Sequence, residues 1–321
     1  MNPVDPTESA GASMLGSPDN LETILDFIRW AASRMDEHGV FLGHGTLSYL
    51  DEAAWLVLEG LRLPPDLGSD WWSSRVSADE KAELVELIRR RCLEHTPTAY
   101  LLNRAWFMDQ PFYVDERVLI PRSPFGDLIR DDFHGLLGAG VGTGRILDVG
   151  TGSGCIAIAL AEHFPEARVI GSDIDFGALS VASRNVGDYQ LSDRVDLLQS
   201  DLLDQLLDDE GQPLVFDLIV SNPPYVDPDE AEDLPDEYHH EPADALFAPE
   251  QGLALVERLL DDAPTHLQPG GWIFVEMGNG RHWFDQRWPS HRGYWVDLSP
   301  APSSIIGFPR EKLADWRGQN G

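Results

Sequence analysis

The stretch RILDVGTGSGCIAIALAEHF, residues 145–164, decides the fold of this chain. Its first six letters predict a buried strand, TGSG predicts a loop, and the apolar text from Cys155 predicts a helix. Gly150, Gly152 and Gly154 stand where the strand meets the helix, and they let the backbone approach a ligand closely. The stretch therefore predicts a site for a nucleotide-like ligand, with a ligand-free turn as one alternative. An NAD-binding fingerprint is another, although the last glycine comes one position too early for Gly-x-Gly-x-x-Gly.

Around this stretch, short apolar segments alternate with segments of helical periodicity. The alternation predicts a mostly parallel sheet with helices on both faces and ligands bound at the carboxyl ends of the strands. Two segments near the C-terminus, GYWVDLS (293–299) and SSIIGFP (303–309), predict additional edge strands. The other predicted strands are ARVIGSDI (167–174), VDLLQSD (195–201), FDLIVSN (216–222) and GWIFVEMG (271–278), and the other predicted helices are SPFGDLIRDDFHGLL (123–137), GALSVASRNV (177–186) and ALVERLLDDAPTHL (254–267).

The N-terminal part of the chain predicts a separate helical domain. Three amphipathic helices are expected, one behind Asn20 as N-cap, one over YLDEAAWLVLEGLRLP (49–64), and one that begins at a capping box of Ser77 and Glu80. The aromatic, partly alternating text after them predicts a hairpin with its turn near Asp109-Gln110. The predicted organisation is a disordered leader over 1–19, a helical substrate-recognition domain over 20–102, a hairpin linker over 103–121 and the α/β domain over 122–321.

Composition limits the class of protein. The 321 residues are 42% hydrophobic and 24% charged, as in an ordinary globular protein, and no apolar run is long enough to cross a bilayer. The first residues lack the basic start and apolar core of a secretory signal, so we expect a cytoplasmic protein without a membrane partner. Because only two cysteines are present and the ten histidines have no ligand spacing, neither a disulfide framework nor a metal site is expected.

The formal net charge is -32, from 23 basic and 55 acidic residues. Such a chain repels nucleic-acid phosphates, whose binding normally needs clustered Lys and Arg, so we expect no free nucleic acid as a partner. The same field favours a basic protein, which it would attract over a distance. An acidic proteome adapted to salt explains the charge equally well, because the acidic residues are spread along the chain.

Acidic residues end two successive predicted strands. Asp173 stands 19 residues beyond Gly154, where an acid can accept hydrogen bonds from both ribose hydroxyls of a nucleoside. Asp201 ends the next strand and is placed to reach an adenine amino group. Either acid alone is more typical of a surface turn, but the two together indicate an adenosine-containing ligand.

Three segments, DVGTGSGCIAIAL, DID and DLIVSNPPYV, together resemble class I S-adenosylmethionine-dependent methyltransferases that modify amino groups. The resemblance implies S-adenosylmethionine as cofactor, S-adenosylhomocysteine as product, and no metal. It also implies that Asp148 faces the methionine amino group, that Gly150 and Gly152 pack under the cofactor, and that Ile174 lies against the adenine. Asn222 would stand between cofactor and substrate.

The resemblance also assigns a role to Asn222, Pro223, Pro224 and Tyr225, which otherwise suit a turn that ends a strand. An amide or exocyclic amine nitrogen is a poor nucleophile, because its lone pair is delocalised. Acceptors that bind both of its N–H groups hold the nitrogen in line with the methyl donor and favour the pyramidal form that appears as the bond forms. The Asn222 side-chain carbonyl and the Pro223 backbone carbonyl would be these acceptors. The prolines stiffen the turn, and Tyr225 would pack against the planar group.

Other segments bear on which nitrogen is methylated, since adenine-amino DNA methyltransferases share the Asn-Pro-Pro-Tyr motif. The segment AWFMDQPFYVDERVLIPRSPFGDLI (105–129) resembles the interdomain segment of protein-(glutamine-N5) methyltransferases. Within it, IPRSP (120–124) resembles the branch that acts on the third protein of the large ribosomal subunit, whereas the release-factor branch has Ile-Pro-Arg-Pro followed by an acid. This implies transfer of a methyl group to a glutamine N5 of that basic ribosomal protein. The alternatives are a release-factor glutamine methyltransferase, a DNA adenine-amino methyltransferase and a non-catalytic ribosome assembly factor.

Two further residues are candidates for contact with the substrate. Arg122 follows Pro121 in the IPRSP segment, and its other interpretation is a surface salt-bridge partner. Glu241 matches a family position near the mouth of the site, and its other interpretation is a turn before a helix. The tail DLSPAPSSIIGFPREKL (297–313) departs from the family pattern, so the resemblance does not set the limits of the last strands.

Overall fold

A computed structural model describes residues 15–137, 144–296, 298 and 304–318 of the chain. The chain divides into two compact units, one formed by Met1–Ala105 with Pro235–His240, the other by Trp106–Leu234 with Glu241–Gly321. Most of the predicted leader, residues 1–14, lies outside the described residues. No helix in the described part of the chain combines the length and the apolar character that crossing a bilayer requires.

The first unit contains the three predicted amphipathic helices, α1 (Ile24–Glu37), α2 (Tyr49–Gly60) and α3 (Ala78–Leu93), and a short helix α4 (Thr98–Leu101). The capping box of Ser77 and Glu80 is confirmed, since each backbone N–H is bound by the side chain of the other. Helix α1 begins later than predicted, because Thr23 and not Asn20 is its N-cap. The end of the predicted leader is packed rather than free, since Leu15 is fully buried in the core of this unit.

A cluster of ionic side chains is buried in the first unit. The Arg91 guanidinium donates to Glu52 Oε1 at 2.9 Å and to Glu237 Oε1 at 2.8 Å. All three side chains are nearly inaccessible to solvent. Because Glu237 comes from Pro235–His240, this pairing fixes a segment from a distant part of the chain among the helices.

The second unit opens with a hairpin of β1 (Ala105–Phe107) and β2 (Gln110–Phe112). Its turn is formed by Met108 and Asp109, both with positive φ, one residue before the predicted position. Helix α5 (Phe125–Arg130) is shorter than the predicted segment 123–137. It ends early because residues 132–134 have positive φ, which an α-helix cannot contain.

The strands after the hairpin form one seven-stranded sheet, and they are β3 (Arg145–Val149), β4 (Arg168–Asp173), β5 (Val195–Gln199), β6 (Phe216–Ser221), β7 (Leu267–Glu276), β8 (Tyr294–Trp295) and β9 (Ile305–Pro309). Their order in the sheet is β5-β4-β3-β6-β7-β9-β8. The five strands from β5 to β7 are parallel, as predicted, while β9 is antiparallel to both β7 and β8. SSIIGFP therefore supplies an interior strand and not an edge strand, which corrects the prediction.

Helices cover both faces of this sheet, as the sequence predicts. Successive strand residues point to opposite faces, so Ile146 belongs to one apolar core and Leu147 to the other. The strand order reverses between β3 and β6, and the carboxyl ends of these neighbours flank the crevice where such sheets bind ligands. The helices of this unit after α5 are α6 (Cys155–His163), α7 (Phe176–Asp188), α8 (Ala243–Leu246), α9 (Ala254–His266), α10 (Arg281–Arg287) and α11 (Arg310–Leu313).

Candidate active site

Asp148 is fully buried near the carboxyl end of β3. Its Oδ2 accepts hydrogen bonds from the Thr151 hydroxyl at 2.7 Å and from the Ala157 N–H at 3.1 Å. Its Oδ1 is buried as well and has no hydrogen-bond partner among the described residues. Burial raises the pKa of Asp148 to about 7, and the nearby charge of Asp173 acts in the same direction. A cationic donor would satisfy the open oxygen and favour the ionised carboxylate.

The glycine-rich loop between β3 and α6 is fixed to the end of β4. The Gly150 N–H donates to the Ser172 carbonyl at 2.8 Å, and the Gly152 N–H donates to Asp173 Oδ2 at 2.9 Å. Gly152 has a φ of +54°, and a Cβ added there would meet no atom of the described residues within 4 Å. The loop therefore leaves open space beside the backbone, where the resemblance places the cofactor.

The end of β4 carries the two residues predicted to contact the nucleoside. Asp173 Oδ1 accepts from the Asp175 N–H at 3.0 Å, so the carboxylate bonds the backbone on two sides. Burial raises the pKa of Asp173 above its usual range. Ile174 beside it is 60% exposed, which is unusual for a large apolar side chain and suits an apolar ring system. Contacts of both residues with ribose and adenine remain predictions.

Asp201 lies two residues beyond β5 and has a partner already. Its Oδ1 is 3.2 Å from the Arg258 guanidinium on α9, and both side chains are more than 40% exposed. An exposed pair of this kind is weak, so it does not prevent Asp201 from turning toward a ligand. The predicted contact with an adenine amino group is not tested by this arrangement.

The Asn-Pro-Pro-Tyr segment follows β6 directly and lies beside the glycine-rich loop. The Ser221 hydroxyl donates to the Val149 carbonyl at 2.9 Å, which ties the ends of β6 and β3 together. A Cβ added at Gly150 would be 3.8 Å from the backbone carbonyl oxygen of Asn222. The Asn222 side-chain oxygen is buried and has no hydrogen-bond partner among the described residues. Buried acceptors in proteins are normally bonded, so this oxygen indicates a missing N–H donor.

Tyr225 is enclosed by two glycines that are distant in sequence. A Cβ added at Gly278 would lie 2.3 Å from a ring carbon of Tyr225, and one added at Gly252 would lie 2.1 Å from its carbonyl oxygen. Both glycines have positive φ. These positions exclude any side chain, because the tyrosine occupies the space on both sides.

Glu276, at the end of β7, was not predicted as part of the site. It is 3% exposed, and its two oxygens accept from the Ser123 hydroxyl and, at 3.4 Å, from the Tyr225 hydroxyl. Burial raises the pKa of Glu276 to about 7, against the opposing effect of these hydrogen bonds and of Arg122. The available signal was an acid that ends an apolar strand, which is the same signal that singled out Asp173.

Arg122 and Glu241, the two candidates for substrate contact, lie together and bind each other. The Arg122 guanidinium is 2.8 Å from Glu241 Oε2, which also accepts the Ile120 N–H at 2.9 Å. The Glu241 side chain is fully buried, while that of Arg122 is 19% exposed. The pair anchors the segment after the hairpin within the second unit. A contact of either residue with substrate remains a prediction.

Taken together, the residues at the ends of β3, β4 and β6 fit S-adenosylmethionine. The open oxygen of Asp148 suits an ammonium group, the space beside Gly152 suits a ligand that packs on the backbone, and the exposed Ile174 suits an adenine. The unbonded oxygen of Asn222 suits an N–H donor next to that ligand. This arrangement would hold a nucleoside with a cationic end and present it to an amide or amine.

Comparison with known proteins shows a family and close relatives. Residues 137–246 match the Methyltransferase small domain. The chain is 41% identical to the ribosomal protein uL3 glutamine methyltransferase of Neisseria meningitidis serogroup B over 293 residues, which cover 91% of this chain and 95% of the relative. It is 38% identical to the protein of the same name from Francisella tularensis over 299 residues, which cover 93% and 94%. Among solved structures, the ribosomal protein L11 methylase of Lactobacillus delbrueckii has 21% identity and a TM-score of 0.39, and the match covers 61% of this chain and 82% of that one.

Proposed function

The chain belongs to the family of ribosomal protein uL3 glutamine methyltransferases, with the fold of class I S-adenosylmethionine-dependent methyltransferases, and from this premise we propose its substrate. The protein transfers a methyl group from S-adenosylmethionine to the side-chain amide N5 of a glutamine in uL3, the third protein of the large ribosomal subunit. A ribosomal substrate carries with it the expectation of a cytoplasmic location.

The buried, unbonded oxygen of Asn222 is the observation that supports this function best. A primary amide has two N–H groups and a lone pair that is delocalised into its carbonyl. Asn222 Oδ1 and the Pro223 carbonyl would accept these two N–H groups and orient the nitrogen. S-adenosylmethionine supplies the methyl group on an activated sulfonium. The chain contributes alignment, which is worth about 7–11 kcal/mol in favourable systems, and the proton of the methylated nitrogen leaves to water.

The overall charge supports a basic protein as substrate rather than a nucleic acid. With 55 acidic and 23 basic residues, the molecule repels polyphosphates and attracts cationic chains at a distance. Methylation of an adenine amino group would use the same acceptors but would require a polyanion to approach this surface. Charge therefore favours glutamine over adenine among the substrates that the Asn-Pro-Pro-Tyr segment can hold.

The test incubates the purified protein and methyl-labelled S-adenosylmethionine with uL3 and, in parallel, with a peptide release factor, and maps the label by fragmentation mass spectrometry. We expect one methyl group on a glutamine of uL3. Label on the release factor alone would retain the chemistry and overturn the substrate. No label on either protein, with S-adenosylhomocysteine still bound, would overturn the proposed function.

The role of Asn222 is tested with Asn222→Ala. We expect the turnover number to fall about 100-fold or more, because one preorganised acceptor at the reacting group is lost. The dissociation constant of S-adenosylhomocysteine should change little. Asn20→Ala, which removes an exposed amide from the first unit, is the matched control and should leave turnover unchanged. Unchanged turnover in Asn222→Ala would refute the acceptor role.

A further inference from the structure

Glu276 is a buried carboxylate. Neither the packing of the fold nor the methyl-transfer chemistry described above requires an acid at its position. It ends β7, next to the strand that carries the Asn-Pro-Pro-Tyr segment. Its oxygens accept from the hydroxyls of Ser123 and Tyr225, and Arg122 is the cation whose charge reaches it. It also lines a cavity of about 710 Å³ whose other charged or titratable walls are Tyr225, Arg281, His282 and Asp285.

The contacts of Tyr225 indicate what this carboxylate does. The ring packs against the backbone at Gly278, where a Cβ would lie 2.3 Å from it, and the backbone of Tyr225 packs against Gly252. Packing of this kind limits where the ring and its oxygen can lie, but it does not set the direction of the hydroxyl hydrogen. The Tyr225 hydroxyl donates a long hydrogen bond of 3.4 Å to Glu276 Oε1, while the Ser123 hydroxyl donates to the other oxygen of the carboxylate.

We propose that Glu276 is a positioning residue for methyl transfer, which acts through the Tyr225 hydroxyl to hold the tyrosine ring in one orientation beside the Asn222 acceptor. Ser123 completes the arrangement by fixing the far oxygen of the carboxylate. The inference rests on the proposed function, in which the Tyr225 ring packs against the planar amide of the substrate.

The pH dependence of protein stability distinguishes a positioning role of Glu276 from a role in an ion pair. Burial raises the pKa of Glu276 to about 7, so the folded state favours the neutral acid, whereas the unfolded chain ionises near the ordinary glutamate pKa of 4.5. The contribution of this group to stability is therefore lost as pH rises from about 4.5 to about 7. An acid that served the fold as the anion of an ion pair would instead stabilise it when ionised. Glu276→Gln should thus melt at or above the wild-type temperature at pH 8, while its activity falls.

The test compares Glu276→Gln, Tyr225→Phe and the double variant in the full-length protein, with uL3 and labelled S-adenosylmethionine. Each single change should lower the turnover number by about threefold to tenfold, the range of one hydrogen bond, and the double variant should be no slower than the slower single variant. The KM of the cofactor should stay constant. At a saturating concentration of cofactor, which removes the effect of pH on binding that is expected from Asp148, wild-type turnover should fall below pH 7, where Glu276 becomes protonated, and this dependence should vanish in Glu276→Gln. Turnover of Glu276→Gln equal to wild type, or independent effects that multiply in the double variant, would overturn the positioning role.

A measurement without substrate separates this inference from the proposed function. Tyrosine-ring resonances are recorded by NMR for the wild type, Glu276→Ala and Met277→Leu. Met277 is the next residue along the chain, and it is buried in the apolar core that contains Leu147. Glu276→Ala should shift and broaden the Tyr225 signals, and Met277→Leu should leave them in place. If the wild-type protein methylates neither uL3 nor a release factor, the proposed function fails. The Tyr225 signals still show, independently of that result, whether Glu276 positions the tyrosine ring. Unchanged Tyr225 signals in Glu276→Ala overturn it.

Discussion

Asp148 keeps one carboxylate oxygen bonded and the other open, at a site that the resemblance assigns to the amino group of S-adenosylmethionine. Because burial raises the pKa of Asp148 to about 7, the carboxyl group is partly protonated at neutral pH and binds a cation less well as pH falls. We expect the dissociation constant of S-adenosylhomocysteine to decrease between pH 6 and pH 7.5, by at most tenfold per pH unit. In Asp148→Asn the binding should be weaker and independent of pH over this range.

Calorimetric titration at several pH values measures this dependence. The matched control is Asp196→Asn, which neutralises an exposed acid on β5, two strands away from Asp148 in the sheet, and should keep the wild-type profile. A wild-type dissociation constant that is constant from pH 6 to 7.5 would show that Asp148 does not bind the cationic end of the ligand.

Sequence reasoning could predict where a residue lies when its position depends on the local pattern, although the roles of these residues stay predictions. Asp148, Asp173 and Asn222 lie at or just beyond the ends of predicted strands, and the carboxyl edge of a parallel sheet is where ligands bind. Glu276 was missed, because its hydrogen bond to Ser123 joins residues 153 positions apart. Arg122 and Glu241 illustrate the same limit, since 119 positions separate two side chains that the fold pairs. A sequence shows that a residue is charged, but only the fold shows which other residue satisfies the charge.

At the scale of elements, two glycines provide a matched pair of tests. Gly187 lies inside α7 with a helical φ, and a Cβ there would meet no atom of the described residues within 4 Å. Gly187→Ala should therefore raise the melting temperature by about 2–4 °C, from a gain of up to about 1 kcal/mol in helix propensity. Gly252 has a φ of +77°, and a Cβ there would lie 2.1 Å from the Tyr225 carbonyl oxygen. Gly252→Ala should lower the melting temperature and, by displacing Tyr225, reduce methyl transfer.

Differential scanning fluorimetry and the uL3 methylation assay together check both variants. Gly187→Ala should retain wild-type turnover, because a Cβ at Gly187 would contact no described residue, Tyr225 and Asn222 included. If Gly252→Ala melts and turns over like the wild type, the close packing of Tyr225 against this turn has no energetic consequence.

Elements were predictable to the extent that their signals are local. The capping box at Ser77 sets the start of α3 by hydrogen bonds within one turn, so its sequence signature was sufficient. For α1, the Thr23 hydroxyl and the Asp26 carboxylate form the equivalent box, whereas Asn20, although of a good N-cap residue type, lies three residues before that N-cap. The segment SSIIGFP reads as a strand in any context. Whether it lies inside the sheet depends on β8, which pairs with it through only two residues.

At the scale of the whole molecule, the division into two units was visible in the sequence only in part. Pro235–His240 belongs to the helical unit although it follows the Asn-Pro-Pro-Tyr segment by ten residues. The bond that places it there joins Arg91 to Glu237, 146 positions away, and the pair is buried. Composition could not reveal this, because in the sequence Glu237 is one acid in an acidic run. Removing one partner of such a pair leaves an uncompensated buried charge. The pair therefore contributes more to fixing the position of Pro235–His240 than to the net free energy of folding.

The net charge of -32 acts on the molecule as a whole and leads to two expectations about salt. Raising the salt concentration from about 0.05 to about 1 M shortens the Debye length from above 10 Å to about 3 Å. Repulsion among the acidic side chains is then screened, so the melting temperature should rise. Attraction of basic uL3 is screened as well, so KM for uL3 should rise while the turnover number stays constant.

A short uncharged peptide that carries the same glutamine is the control, because its KM should not change with salt. The two responses separate the two explanations of the acidic surface. A rise in melting temperature with a constant KM for uL3 would attribute the charge to salt adaptation alone. A rise in KM that is absent for the uncharged peptide would show that the acidic surface attracts the substrate, because the two substrates share the reacting group and only the charged one responds to screening.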